Sequence, residues 1–419
     1  MKALPGLAWR SLANRRYSAG LSVLTIAISV LLLLGVERLR HEARAGFLRS
    51  VSGVDLIVGA RAHPVQLLLY SVFHLGEATQ NVSWASYRAI AAAPEVAWTI
   101  PLALGDSHRG YRVVGTSADY FEHLRIAGGQ PLRFAAGTRF ADLHDAVLGA
   151  EVAARLGYRV GDPLVIAHGA AAVNLHQHDE QPFRVAGILE HTGTPVDRAV
   201  HVSLGAIEAI HRNWRFGTRV GPAPTRAELA TADLTPRAIT AFHVGLKDRA
   251  ASFAVQERIN AQREEPLSAI LPAVALQQLW GLLANVERAL LATSACTVLA
   301  GLLGMLTAIL ATLNERRREM AILRSVGASA RTIFALLLAE TALLTAAGVA
   351  CGLVLCQLVL ALAAPWLASR YGLALPAGLP SPGEWRLMTL VLGAGIAVGA
   401  LPALLAYRRS LADGMSVRT

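Results

Sequence analysis

The sequence predicts a membrane α-helical protein with four transmembrane (TM) helices and a large α+β extracytoplasmic domain inserted between the first two helices. Hydrophobic residues make up 54% of its 419 residues, although the formal net charge is +10. The apolar residues lie in four stretches. Each stretch is long enough to cross the hydrocarbon core as a helix, which takes about 20 residues. One hydrophilic region of roughly 250 residues follows the first stretch, and a segment of that length can form its own packed core.

The four apolar stretches set the predicted boundaries of the chain. The first could be a signal peptide, but it ends in VERLRHEARAG without a directly following small-residue cleavage site, so we expect a retained anchor. The resulting division is a cytoplasmic interfacial helix (1–17), TM1 (18–36), the extracytoplasmic domain with a stalk (37–288), TM2 (289–313), a cytoplasmic loop (314–332), TM3 (333–362), a short extracytoplasmic loop (363–386), TM4 (387–407) and a cytoplasmic tail (408–419).

Basic residues near the span ends predict the orientation. They precede TM1, fill the loop between TM2 and TM3, and follow TM4, and cytoplasmic segments are enriched in arginine and lysine. We therefore expect an inner-membrane protein with both termini in the cytoplasm and the large domain outside. Because this charge lies beside membrane segments and no nucleic-acid-binding motif occurs, a nucleic-acid partner is not expected. The basic residues include Arg10, Arg15, Arg16, Arg316, Arg317, Arg318, Arg331, Arg408 and Arg409.

The extracytoplasmic region mixes strand and helix patterns. Short β-branched runs with glycine turns predict strands in YRVVGTSADYF and PFRVAGILEHTGTPVDRAVHVSL. Apolar residues at helical spacing before TM2 predict that this helix continues outward as a stalk. The polar stretch from Arg215 to Arg237 is interpreted as a surface excursion. Helical pieces are predicted at Trp84 to Ala92, Ala146 to Leu156, Leu204 to Trp214 and Ala251 to Gln262.

Small residues recur four positions apart in three of the spans. Such pairs let helix backbones approach closely, so we expect the spans to pack together or against a second copy of the chain. Glycine is also common in membrane helices for no specific packing reason, and that explanation stays open. The pairs are Ala300 with Gly304, Gly348 with Gly352, and Gly395 with Gly399.

The loop between TM2 and TM3, NERRREMAILRSVGASARTIF, combines many charged residues with a row of apolar residues. Read as a helix, it places Met320, Leu323 and Val326 along one side and its arginines elsewhere. Gly327 then permits a break, and Ser329 can cap the next helix. This pattern predicts a short amphipathic docking helix, although arginines that only enforce topology would give the same charge.

The same loop carries a resemblance to a known family. NERRREMAILRSVGASARTIFALLLAETALL resembles the signature of FtsX/MacB-type (LolC/LolE-like) permeases of ABC transporters. LAWRSLANRRYSAGLSVLTIAISVLLLLG resembles the family's entry helix and first span, and ALPALLAYRRSLADGMSVR resembles its C-terminal end. DLIVGARAHPVQLLLYSVFH and LEHTGTPVDRAVHVSL resemble its periplasmic core domain. The resemblance covers nearly the whole chain and is weakest from Arg215 to Arg237.

The resemblance implies a mechanism of mechanotransmission. The loop is similar to a coupling helix that fits a groove on an ATP-binding subunit, and closure of that subunit would drive export or extraction of a substrate at the periplasmic face. The expected partners are the ATPase subunit, a second permease protomer in a homo- or heterodimer, a periplasmic protein and membrane lipid. The coupling positions it implies are Glu315, Arg316, Glu319, Leu323, Arg324 and Gly327.

The sequence contains no nucleotide-binding motif. A P-loop needs Gly-Lys followed by Ser or Thr, because the lysine neutralises phosphates held by backbone amides. The two lysines, Lys2 and Lys247, do not follow glycines. We therefore expect no cofactor in this chain, with ATP and Mg²⁺ bound by a separate ATPase chain. Some family members instead fuse the ATPase to the permease.

Other site chemistry is limited. The chain lacks the Gly-x-Ser-x-Gly and His-Glu-x-x-His motifs, and its three cysteines all lie in apolar runs, so neither an enzyme nor a disulfide framework is expected. His176 and His178, in HGAAAVNLHQHDEQ, would project to one face of an extended segment and could bind a divalent metal. A polar surface hairpin would give the same sequence.

Two other functions fit these features. A signalling scaffold would use the same ATP-driven motion to activate a periplasmic partner, and a metal-linked ABC system would use the histidine segment. The large outer domain resembles the transport branch of the family more closely, and this resemblance favours transport.

Overall fold

A computed structural model describes residues 6, 11–13, 15–50, 52–126, 129–169, 182–215, 218–219, 224–313, 322, 324–371 and 378–413. The chain divides into two compact units. The membrane unit comprises Met1–Glu42, Ala284–Ala368 and Leu375–Thr419, and the α/β unit comprises Ala43–Leu283 and Ser369–Ala374.

Eleven α-helices occur in the described residues. They are α1 (Arg16–Ser50), α2 (Pro64–Val72), α3 (Trp84–Ala91), α4 (Asp119–His123), α5 (Ala150–Leu156), α6 (Leu204–His211), α7 (Arg226–Thr231), α8 (Ser252–Asn260), α9 (Pro272–Leu313), α10 (Ala330–Tyr371) and α11 (Pro382–Asp413).

Four of these helices, α1, α9, α10 and α11, are long and apolar enough to cross a membrane, which confirms the predicted four-helix class. Each is longer than its predicted span. The largest extension is in α9, which begins at Pro272 rather than at Ala289. Proline is tolerated in the first turn because its missing N–H would have no partner there. Apolar residues of all four helices, among them Ile26, Met305, Leu344 and Val391, form one buried cluster.

An 11-stranded mixed sheet organises the α/β unit. Its main order is β17-β1-β16-β3-β4-β12-β8-β11-β7, with β10 paired to β3 and β9 to β11. The β4–β12 and β8–β11 pairs are parallel. The strands are β1 (Leu56–Ala60), β2 (Val82–Ser83), β3 (Val96–His108), β4 (Tyr111–Thr116), β5 (Arg125–Ile126), β6 (Gln130–Pro131), β7 (Phe134–Gly137), β8 (Asp145–Leu148), β9 (Pro163–Leu164), β10 (Ala167–His168), β11 (Phe183–Leu189), β12 (Ala199–Ser203), β13 (Trp214–Arg215), β14 (Thr218–Arg219), β15 (Ala238–Ile239), β16 (Ala241–Leu246) and β17 (Leu267–Ile270).

The long strand β3 connects the two halves of this sheet. It pairs with β16 along one part and with β4 along another. Every residue of β1, β8 and β16 is buried, as expected for strands covered on both faces. Residues from α3 and α8 pack on the β16 half, and residues from α5 and α6 pack on the β8 half. The unit therefore has the predicted α+β composition, with its core divided along the sheet.

One local prediction in this unit is wrong. The predicted helix from Ala146 to Leu156 begins as strand β8, because Asp145–Leu148 is buried between β11 and β12, and the helix itself begins only at Ala150. The stretch interpreted as a surface excursion contains helix α7, which is exposed except for the buried Leu229. A reciprocal pair of hydrogen bonds between Thr225 and Glu228 caps that helix.

Candidate functional site

The loop before α10 has two of the local features predicted for it. Gly327 has φ of 99°, a left-handed conformation that glycine adopts without steric cost. Ser329 then caps α10, because its Oγ accepts a hydrogen bond from the Thr332 amide at 3.3 Å. Of the implied coupling residues, Arg324 is half-buried beside this turn. The positions Glu315, Arg316, Glu319 and Leu323 lie outside the described residues.

The described part of this loop exposes apolar side chains. Ile322 is 58% exposed and Val326 is 84% exposed. Residues four apart lie on the same face of a helical turn, and the Val326 amide donates to the Ile322 carbonyl at 3.2 Å. Sequence reasoning placed Val326 in the apolar row but missed Ile322, although the spacing between the two was visible. The loop thus presents an apolar contact surface next to Arg324.

Two glycines of α10 lie directly against α1. A Cβ atom added to Gly348 would lie 2.6 Å from Ile26 Cγ2, and one added to Gly352 would lie 2.7 Å from Val30 Cβ. Both distances are far below van der Waals contact, so only glycine allows this approach. The α1–α10 contact therefore lies within one chain.

The two predicted glycines of α11 lie against α10. Gly395 contacts Thr345, and Gly399 contacts Thr341, so closely that neither position has room for a Cβ atom. Gly304, the glycine predicted to pack on α9, differs, because a Cβ atom added there would meet open space. The close glycine on α9 is instead the neighbouring Gly301, which sequence reasoning missed.

A polar contact joins α1 to α9 near Gly301. A Cβ atom at Gly301 would lie 2.9 Å from Ser29 Oγ. The same hydroxyl donates to the Thr297 carbonyl at 3.0 Å. Small residues and one interhelical hydrogen bond thus bring α9 close to α1.

A buried ion pair joins the first and last helices of the membrane unit. Arg38 Nε lies 3.1 Å from Glu384 Oε1, and Arg38 Nη2 donates to Glu384 Oε2 at 3.3 Å. The two side chains are only 8% and 3% exposed. Arg38 Nη1 also donates to Gln357 Oε1 of α10 at 3.2 Å. Arg38 of α1 therefore links α10 and α11, and its contact with Glu384 is a bidentate pair of the kind that arginine forms best.

Glu384 also caps its own helix. The Ser381 amide donates to Glu384 Oε2 at 2.6 Å, and the Glu384 amide donates to Ser381 Oγ at 3.3 Å. This is a capping box at the start of α11. Glu384 therefore connects the ion pair to the first turn of α11. Sequence reasoning missed it, although an arginine just after TM1 and the Ser-x-x-Glu spacing were both visible.

Two histidines of the α/β unit pair with buried aspartates. His191 Nδ1 lies 2.9 Å from Asp197 Oδ2, and Asp197 also accepts the Gly193 amide, so this pair fixes a turn. His211 Nε2 lies 3.3 Å from Asp106 Oδ1. Burial disfavours the charged form of His211, but the hydrogen bond and charge of Asp106 outweigh it and raise the pKa of His211.

The predicted metal residues, His176 and His178, lie outside the described residues. Within the described residues, Asp119, Glu122 and His123 bring potential ligand atoms within 4.8 Å of one another. Both carboxylates already have partners, because Ser117 donates to Asp119 and Arg139 pairs with Glu122. Both carboxylates therefore belong to a surface polar network.

Comparisons with known proteins cover both units. A MacB-like periplasmic core domain matches residues 19–262, and an FtsX-like permease C-terminal domain matches residues 291–413. The chain belongs to the FtsX/MacB-type ABC permease family. It is accordingly a multi-pass membrane permease of a family that works with an ATPase. The FtsX-like match contains the loop before α10 and all four close glycines of α10 and α11.

Individual relatives of this FtsX/MacB-type permease are distant. It is 25% identical over 398 residues to the pyoverdine export ATP-binding/permease protein PvdT of Pseudomonas syringae pv. tomato. That alignment covers 88% of this chain and 53% of PvdT, so the chain spans about half the length of this relative.

Two solved structures are also similar. The periplasmic region of MacB from Actinobacillus actinomycetemcomitans matches 56% of this chain and 97% of its own, at 11% identity and a TM-score of 0.32. The extracellular domain of the noncanonic ABC-type transporter YknZ from Gram-positive bacteria matches 52% and 98%, at 11% identity and a TM-score of 0.30.

Proposed function

We propose that this permease couples ATP hydrolysis by an ATPase to the export or extraction of a substrate at the periplasmic face, by mechanotransmission. The observation that carries the proposal is the attachment of an exposed apolar and basic loop directly to the closely packed α1–α10–α11 bundle. A force applied at this loop would move α10. Because α10 packs closely against α1 and α11 at the glycines, those helices would move with it.

The lengths of α1 and α9 support transmission beyond the membrane. With 35 and 42 residues, and a rise of 1.5 Å per residue, these helices are about 52 and about 63 Å long. The hydrocarbon core is about 30 Å thick. Each helix therefore has about 20 Å or more outside the hydrocarbon core, without a described break. A continuous helix transmits displacement along its axis better than a jointed connection.

The exposed loop supports docking to an ATPase. Ile322 and Val326 can fill an apolar groove, and Arg324 can add charge complementarity at its rim. No P-loop occurs in these 419 residues, so the nucleotide is bound by an ATPase that they do not contain. PvdT is named as an export ATP-binding/permease protein, and export is the direction that we propose here as well.

The proposed assembly places two permease protomers and the ATPase in the inner membrane, with the loop and both chain ends on the cytoplasmic side. The basic residues flanking the apolar helices support this orientation. Several leucines of α9, among them Leu290, Leu299 and Leu303, are exposed in the single chain. In the assembly, lipid and the second protomer would cover such residues.

A pull-down of the detergent-solubilised protein tests the docking step. We expect the wild type to retain a nucleotide-binding subunit with measurable ATPase activity, and a Leu323→Asp/Arg324→Glu variant to lose it. The matched control is Arg386→Glu, which reverses one exposed arginine charge near the start of α11, away from the loop. Equal retention by wild type and loop variant, or no ATPase with either, would contradict the proposal.

A further inference from the structure

The interior of the α/β unit contains a small polar cavity that the proposed function does not use. Its volume is about 20 Å³, and its walls include His74, His243, Tyr120, Ser71 and Thr194. About 10–15 Å³ is enough for one water molecule, so the cavity has room for a single water or a single ion. Two imidazoles and a phenol facing so small a space are an unusual concentration of ligating groups.

His243, on strand β16, has unused bonding capacity at this cavity. The residue is 4% exposed, and neither Nδ1 nor Nε2 forms a hydrogen bond with any described residue. The Ser71 backbone lies near the ring, but its geometry falls short of a hydrogen bond. A buried polar group without a hydrogen bond is destabilising, so this imidazole needs an explanation.

His74 reaches the cavity from a strained backbone position. It follows helix α2 with φ of 54°, the left-handed conformation in which glycine is the usual residue after a helix. A non-glycine residue is less stable there, because its Cβ atom comes too close to the following carbonyl oxygen. Such strain collects at ligand-binding positions, where the side chain is needed in that place. Here the strained position puts an imidazole on the cavity wall.

The neighbouring His201 is not a further ligand at this point. Its ring packs against Tyr120 with the centroids 4.8 Å apart, and its Nδ1 lies 3.3 Å from the Val147 carbonyl. Its Nε2 forms no hydrogen bond with a described residue, but the residue does not line the cavity. In the described part of the chain, no three histidines bring their nitrogens within 4.8 Å of one another. The remaining donors at the cavity are therefore oxygens, from Tyr120 or from water.

We infer that this cavity is a binding site for a divalent transition-metal ion, held by one imidazole nitrogen each from His74 and His243 and by oxygen from Tyr120 or water. Two nitrogens with one or two oxygens suit Zn²⁺, whereas Mg²⁺ and Ca²⁺ prefer oxygen alone. The nearby Ser71 carbonyl would then accept the remaining N–H of His243, an arrangement usual for metal-bound histidines. The site uses other residues than the predicted His176 and His178 pair, and it is independent of the proposed function.

The test uses the full-length protein in detergent, in a His176→Ala/His178→Ala background that removes the other histidine pair. Bound metal is first removed with a chelator, the protein is exposed to micromolar Zn²⁺, and unbound Zn²⁺ is removed. The amount of metal per chain and the melting temperature are then measured. We expect one zinc per chain and a melting temperature several degrees higher than that of the stripped protein.

The decisive variant is His74→Gly, which removes a ligand while relieving the backbone strain at that position. The stripped variant should melt at or above the temperature of the stripped parent, yet it should lose the bound zinc and the zinc-dependent rise. Arg109→Gly is the matched control, because Arg109 also has a left-handed backbone, with φ of 47°, but does not line the cavity. It should keep the full zinc response.

Co²⁺ gives a spectroscopic check, because mixed nitrogen and oxygen ligation produces visible absorption that His74→Gly should abolish. If the parent binds no zinc at micromolar concentration, or if His74→Gly retains both the metal and the rise in melting temperature, the inference is wrong. The cavity would then hold a water molecule.

Discussion

Single residues decide how closely the helices of the membrane unit pack, and Gly352 gives the sharpest test. Gly352→Leu would force a side chain into Val30 and into the Ala27 carbonyl, 2.8 Å from the position of the added Cβ. Overpacking of this kind costs about 1–3 kcal/mol, so we expect a lower melting temperature in detergent. Gly304→Leu is the control, because a Cβ atom added at that position meets open space. Equal melting temperatures for the two variants would contradict the proposed packing role.

The buried ion pair of Arg38 and Glu384 makes a second residue-level prediction. Arg38→Met leaves the Glu384 carboxylate buried without its charged partner, which costs about 3–5 kcal/mol, and Arg38→Met/Glu384→Gln should recover part of the loss. Arg40→Met is the comparison, since its pair with Glu37 is more exposed and should contribute under about 1 kcal/mol. Thermal unfolding in detergent measures the stability of Arg38→Met, of the double variant and of Arg40→Met. A double variant less stable than Arg38→Met would argue against the pairing.

His211 predicts a pH dependence of stability. Its pKa is raised in the folded state, so its pairing with Asp106 stabilises the fold fully below the unfolded-state pKa of about 6.5. That contribution is lost as the pH rises from there through the folded-state pKa. We expect the free energy of unfolding to fall across this window in the wild type, and a His211→Gln variant to show a flatter profile. Parallel profiles would exclude this contribution.

At the scale of elements, the turn before α10 should be sensitive to any side chain at Gly327. Gly327→Ala places a Cβ atom on a backbone with φ of 99°, which costs roughly 1–3 kcal/mol and would shift the loop relative to α10. We expect less ATPase to be retained in the pull-down. Gly281→Ala within α9 is the control, because that glycine has no positive φ and open space around it, and it should retain the ATPase fully.

The sequence predicted the elements that depend on local pattern and missed those set by distant contacts. The four TM helices followed from the lengths of their apolar runs. Strand β8 was predicted as helix because its burial between β11 and β12 decides its structure, and no local pattern records that burial. Arg38 and Glu384 are 346 positions apart, so their pairing could not be predicted from one sequence. The cavity at His74 likewise depends on a left-handed backbone and on strands distant in sequence.

At the scale of the whole molecule, we propose that the membrane unit changes shape when an ATPase acts on its cytoplasmic loop. Helices α1 and α9 each contribute residues to both units, so movement at the loop has a covalent route into the α/β unit. The exposed positions Leu39 on α1 and Val286 on α9 report on these two helices within the membrane unit.

The most direct test is the distance between spin labels at Leu39→Cys and Val286→Cys, measured with the ATPase bound. The native Cys296, Cys351 and Cys356 are first replaced by alanine. Trapping the ATPase with ATP and vanadate should shift the distance distribution away from that of the nucleotide-free complex, and Arg324→Glu should abolish the shift. Identical distributions with and without trapped nucleotide, in a complex that still hydrolyses ATP, would contradict mechanotransmission through these helices.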